Sequence, residues 1–149
     1  MSGRELTYEH MNLRQLSELE YILLGDLRDV LEEDSTEENR KWLSMLVDAL
    51  LRTLPREFIL REEGGYLEEI VMNCPELDSS VQQLQEEHIT LCSQLRSLAT
   101  RLHGTTDFQV EADSLKRQLG AWMNCLQAHN RHEERLVQQA YQQDTGGGD

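Results

Sequence analysis

Between residues 77 and 102 the apolar positions Leu77, Val81, Leu84, Leu91, Leu95, Leu98 and Leu102 follow one alternating four-and-three register, with His88 as its single polar member. Such intervals place side chains on one face of a helix, and a stripe of this width is the seam by which a helix packs into a bundle. A second stripe runs through Leu115, Leu119, Trp122, Leu126, His129, Glu133, Leu136 and Ala140. Here two polar residues, His129 and Glu133, stand one turn apart on the inward face. Leu43, Leu46, Leu50 and Thr53 lead with related spacing to Glu57, and Arg61 follows one turn later. Nearer the amino terminus Leu6, His10 and Leu13 share a face.

The punctuation between these stripes predicts four helices. The first spans residues 5–31 and ends at the acidic turn Glu32-Glu33-Asp34-Ser35, where Ser35 and Glu38 resemble a capping box for the next. The second spans residues 36–60, with a kink expected at Pro55. Gly64-Gly65 interrupts it, and residues 66–72 predict a short helix before Pro75. The third spans residues 77–102, with His103-Gly104 as its carboxyl-terminal cap, and the fourth spans residues 107–141. No strand or solenoid repeat is visible. The expected fold is an all-α, antiparallel up-down four-helix bundle over residues 1–143, followed by a flexible Gly-rich tail at 144–149.

Composition narrows the function classes. A chain of 149 residues can bury a real core as one domain. Its net charge of −14 argues against nucleic acid as a partner, because binding a phosphate backbone depends on Lys and Arg. Most of that charge reads as Glu on exposed helix faces. Three Cys are too few for a disulfide framework, and their odd number points to reduced thiols in a cytosolic setting. No apolar run approaches the ~20 residues that span a bilayer. Met1-Ser2-Gly3-Arg4-Glu5 turns polar at once, without the apolar core of a signal peptide. A cytoplasmic chain with neither nucleic-acid nor membrane partners is therefore expected.

The polar residues on the seams carry the candidate chemistry. An unpaired carboxylate in a bundle core costs several kcal/mol, so it needs a cation, a donor or water. One core His is ordinarily a hydrogen-bonded core residue. One His from each of three helices, with a carboxylate one turn from the last, points further, to a metal. Two imidazoles and a carboxylate suit non-haem iron with open positions, and a purely structural polar layer is the alternative. Cys92 follows His88 by one turn and Cys125 precedes His129 by one turn, which in principle offers tetrahedral zinc. These spacings follow no zinc-finger pattern, and small Cys side chains are common in cores, so iron is favoured over zinc. His132 and His103 read as solvated, and Trp42, Trp122 and Phe58 as core packing. No Ser-His-Asp arrangement, phosphate loop or dinucleotide fingerprint is present. No Glu stands three residues before any of the five His, which disfavours the Glu-x-x-His sites of ferritin-like di-iron enzymes.

Three segments resemble the hemerythrin-like (HHE cation-binding) family: Glu9-His10 with Leu13 and Leu16, Glu86-Glu87-His88 with Leu91 and Leu95, and His129-Asn130-Arg131-His132-Glu133-Glu134 running on to Ala140-Tyr141. Their order and separation carry the resemblance, which covers nearly the whole chain. In that family the helices supply His, His-x-x-x-Glu, His and His-x-x-x-Glu to a di-iron centre. The resemblance thus implies His10, His88, His129 and Glu133 as ligands, with Glu57 as the candidate metal residue of the second helix. The second contribution departs from the pattern. Glu57 stands where the His belongs and Arg61 where the bridging Glu belongs, while a register shifted by one offers Glu62 but puts Phe58 at the His position. Arg61, with its planar fork, is expected to pair with Glu57 and Glu133 in the electrostatic place of one iron. That leaves a mononuclear site on His88, His129 and Glu133, which His10 is able to join. The implied function is a metal-binding module with iron as cofactor and dioxygen as a candidate ligand, serving oxygen, redox or iron sensing or iron storage. The alternatives are a metal-free bundle acting through protein contacts and an iron-dependent oxidase or peroxidase-like enzyme.

Overall fold

The computed structural model describes residues 10–146, with side chains over residues 10–142. Four long helices pack as a helical bundle: α1 (Leu13–Leu31), α2 (Glu37–Glu62), α4 (Asp78–Gly104) and α5 (Phe108–Gly146). The short α3 (Tyr66–Asn73) and a 3-10 turn (Pro75–Leu77) connect α2 to α4. Among the described residues there is no strand, and no helix is long and apolar enough to cross a membrane.

Local chemistry sets the helix ends. Asn12 caps α1 reciprocally: its side chain accepts from the Gln15 N–H at 2.9 Å, and the Gln15 side chain accepts from the Asn12 N–H at 3.0 Å. The cap holds an extended backbone, so α1 starts at Leu13 and not at residue 5. His10 lies ahead of the cap and is exposed, while residues 5–9 of the expected helix fall outside the described residues. Thr36, not Ser35, caps α2, its hydroxyl accepting from the Asn39 N–H at 3.1 Å. α2 runs on through Pro55 to Glu62, which keeps Glu57, Arg61 and Glu62 on one continuous helix. It ends where Gly64 adopts a φ of +72°, a left-handed conformation that favours glycine. A Cβ at the next position, Gly65, would collide with the carbonyls of Leu60 and Arg61. The carboxyl end of α5 extends five residues beyond the expected Tyr141, to Gly146 in the Gly-rich tail.

Polar contacts tie the helices together. Arg40, near the start of α2, donates to the Leu102 carbonyl at the end of α4 at 3.1 Å, and Glu62 at the end of α2 reaches His88. The buried Trp122 indole of α5 donates to the Leu91 carbonyl of α4 at 2.9 Å. Lys116 of α5 donates to the Glu33 carbonyl just beyond α1 at 2.6 Å.

The core falls into two apolar clusters. The larger gathers Leu27, Leu43, Leu50, Leu95, Leu119 and Leu126 with their neighbours. The smaller lies around α3, with Leu67, Ile70, Val81, Leu84 and Leu136. Between them α4 and α5 turn polar in step. Along α4 the order is Leu84, His88, Leu91, and along α5 it is Leu126, His129, Glu133, Leu136. Trp122 and Phe58 are buried as expected, but Trp42 is 50% exposed. It precedes the seam residue Leu43, and adjacent helical residues face about 100° apart.

Leu50 and Leu95 are fully buried in the larger cluster. Truncating either to Ala should cost about 2–5 kcal/mol in urea unfolding, whereas Trp42→Ala should stay within about 0.5 kcal/mol. Equal losses at all three positions would contradict this placement of the core.

Candidate metal centre

Three buried side chains converge in the polar layer: His88 from α4, and His129 and Glu133 from successive turns of α5. Each offers one ligand atom, and these atoms all lie within 4.8 Å of one another. Glu133 Oε2 is 3.6 Å from His129 Nε2 and 3.8 Å from His88 Nε2. The two imidazoles meet edge to face, with centroids 4.4 Å apart and planes at 72°. Phe58 lies flat on the His88 ring at 3.7 Å and walls that side with apolar surface.

The far side of each ring is held by a carboxylate. His88 Nδ1 is 2.5 Å from Glu62 Oε1, and His129 Nδ1 is 2.6 Å from Glu87 Oε1. A carboxylate only accepts, so this network assigns the imidazole proton to Nδ1 and leaves Nε2 of a neutral ring as a bare lone pair. Both Nε2 atoms are buried without a hydrogen-bond partner. A carboxylate behind an imidazole, fixing its tautomer and aiming the other nitrogen inward, is the support that metal-binding histidines ordinarily have. Glu87 Oε1 is also 3.5 Å from Nδ1 of the partly exposed His132.

Next to the three stands Arg61. Its fork donates to Glu133 Oε2 at 3.0 Å and to Glu57 Oε1 at 2.7 Å. Tyr66, placed by the start of α3, donates its hydroxyl to Glu133 Oε1. Burial pushes the Glu133 carboxyl upward. The Arg61 charge and the hydrogen bond from the Tyr66 hydroxyl pull it down and keep the carboxylate ionised. Burial also pushes the Tyr66 phenol up, so it remains a donor. Glu57 accepts from Ser17 Oγ at 2.7 Å, and Glu20 on α1 accepts from Asn130 Nδ2 at 3.1 Å. Two openings flank the layer. A groove of about 720 Å³ between α4 and α5 reaches Glu87, His129 and His132, and a cavity of about 310 Å³ reaches Arg61, Tyr66, Asn130 and Glu133.

Of the residues singled out in the sequence, His88, His129 and Glu133 therefore meet, with Arg61 and Glu57 alongside. Glu62 sits behind His88 and not at the point of convergence. His10 is exposed and outside the group, because the Asn12 cap breaks the helical register that would have brought it inward. Neither thiol belongs to the group: Cys125 is exposed, and burial pushes the Cys92 thiol up to about 11. Sequence reasoning passed over Glu20, although Leu16, Glu20, Leu23 and Leu27 form a stripe in which it is the one polar member. Glu87, Ser17 and Tyr66 lie off the seams, and no spacing marks them.

The Arg61 side chain is 11% exposed and those of Glu57 and Glu133 are 0% and 5% exposed, so this is a buried network. Arg61→Met leaves two buried carboxylates without a cation and should cost about 3–5 kcal/mol in chemical denaturation. Arg61→Lys should recover only part of that loss, since an ammonium cannot fork between two acceptors in fixed geometry. An unchanged midpoint in Arg61→Met would show that the network is not what holds the layer.

No family model, no curated protein and no solved structure matches this chain, so the reading of the site rests on its own geometry.

Proposed function

We propose that the chain is a hemerythrin-like metal-binding bundle of antiparallel up-down order, in which His88, His129 and Glu133 hold one non-haem iron ion. One observation carries this reading: two buried, unpartnered Nε2 atoms face one carboxylate oxygen while both Nδ1 atoms are tied back by carboxylates. Two nitrogens and one oxygen leave coordination positions open, the donor set that suits ferrous iron. The antiparallel order is supported by the pairing of the start of α2 with the end of α4 and of the end of α2 with His88. Bound iron would supply a redox-active centre with open positions, suited to sensing oxygen, redox state or iron itself, or to storage. The protein's part is to orient both imidazoles through Glu62 and Glu87, to hold Glu133 ionised through Arg61 and Tyr66, and to exclude water with Phe58. Arg61 occupies the electrostatic place of a second ion, which supports one metal and not two.

A second reading also has an observation behind it. Arg61 and Tyr66 already satisfy the Glu133 carboxylate, so the layer is able to stand as a structural device in a metal-free bundle acting through protein contacts.

Elemental analysis after growth in iron-supplemented medium separates the two. The expected result is about one iron per chain, lost in His88→Ala, with Glu62→Gln and Glu87→Gln weakening affinity by about 10–100-fold. Wild-type protein that binds neither iron nor another transition metal would leave only the second reading. Replacing Glu57 by His and Arg61 by Glu together should raise iron content toward about two per chain, since a carboxylate and an imidazole then replace the built-in cation.

A further inference from the structure

The polar layer contains a second feature that the metal reading does not use. Glu20 of α1 and Glu57 of α2 are both more than nine-tenths buried, and Ser17, one turn before Glu20, donates to Glu57 at 2.7 Å, which puts the two carboxyl groups on the same stretch of the α1–α2 contact. Glu20 Oε1 and Glu57 Oε2 are both buried without a donor. The other oxygens are satisfied, Glu57 Oε1 by Ser17 and Arg61, and Glu20 Oε2 by Asn130. Two ionised carboxylates cannot face each other in a dry core, because each oxygen only accepts and their charges repel. Arg61 is shared with Glu133 and neutralises one carboxylate, not three.

We propose that Glu20 and Glu57 together bind one proton, with Glu20 Oε1–H donating to Glu57 Oε2, and that metal uptake at His88, His129 and Glu133 expels this proton to solvent. The second half rests on the metal-binding reading above, and the first stands without it. Glu57 is the ionised partner because it accepts from Arg61 and Ser17, whereas Glu20 receives only a neutral amide donor. The groups around the pair are Ser17 on α1, Arg61 on α2 and Asn130 on α5, with Glu133 across Arg61 and His88 of α4 beyond it. Glu62 and Glu87 stand behind the two imidazoles, with side chains 22% and 33% exposed.

The field of the ion supplies the coupling. A divalent cation held beside Glu133 adds two positive charges to a buried layer, and a nearby positive charge favours the ionised form of a carboxyl group. The proton on the pair is the one within that field that can leave.

Burial first, then the hydrogen bond and charge of Glu57, push the Glu20 carboxyl from 4.5 up to about 8, against the opposing pull of Arg61 and Asn130. Between those values the folded chain keeps a proton that the unfolded chain has released. The resulting stabilisation is complete below about 4.5 and is lost as pH rises through about 8.

Two measurements on the full chain test the proposal. Infrared spectra of the metal-free protein should show a protonated-carboxyl band that persists to neutral pH and disappears in Glu20→Gln, a variant that mimics the protonated form. Absence of the band overturns the shared proton, and the wild type alone decides this should Glu20→Gln not fold. Anaerobic calorimetry with Fe²⁺, in buffers of different ionisation enthalpy, then counts protons. Near neutral pH the wild type should release about one more proton per ion than Glu20→Gln. Equal release with intact metal binding overturns the coupling alone. No binding by either protein overturns the coupling together with the metal reading, while the infrared band still decides the proton.

Discussion

The structure depends on the compensation of buried negative charge around Arg61. Glu20, Glu57 and Glu133 all sit inside the bundle, where an uncompensated carboxylate costs several kcal/mol. One guanidinium forks between two of them, a tyrosine hydroxyl and a serine hydroxyl satisfy further lone pairs, and an amide serves the third. Everything else in the layer is arranged around that network: the imidazoles face Glu133, and α3 begins where it does so that Tyr66 can reach the same carboxylate.

The network also fixes how the helices meet. Apolar seams built mostly from Leu tolerate a slip of one turn, because one Leu replaces another. Here a slip would drive Glu57 or Glu133 against leucine side chains and leave Arg61 without acceptors, so the polar layer selects one alignment from several of similar hydrophobic burial. The two apolar clusters supply burial and the layer between them supplies register. The end of α2 is part of this device. Helix persists to Glu62, and the Gly64-Gly65 turn then redirects the chain into α3 without a Cβ collision.

The convergence of two Nε2 atoms on one carboxylate has a different origin from the charge network. It arises from Glu62 and Glu87 behind the rings, which are partly solvated and positioned to accept from the Nδ1–H groups. The inner atoms of the layer are thus held by outer groups at its rim, and a change at the rim reaches the centre by turning an imidazole.

The sequence alone determined the helical class, the inward stripes of α2, α4 and α5, and the polar residues upon them, because the period of a helix is a local property of the chain. His88, His129, Glu133, Glu57 and Arg61 could all be named from spacing, and Glu20 could have been by the same rule. His10 could not be placed, since the Asn12 cap interrupts the register that would have made its spacing meaningful. Only the tertiary structure decided that Arg61, and not Glu62, faces Glu133, that Glu62 and Glu87 stand behind different imidazoles, and that Glu20 meets Glu57. These pairings join residues 26 to 72 positions apart, and Arg61 and Glu62 differ by one step of helix rotation. They are settled by how neighbouring helices turn and align against one another, which no stretch of a single helix records.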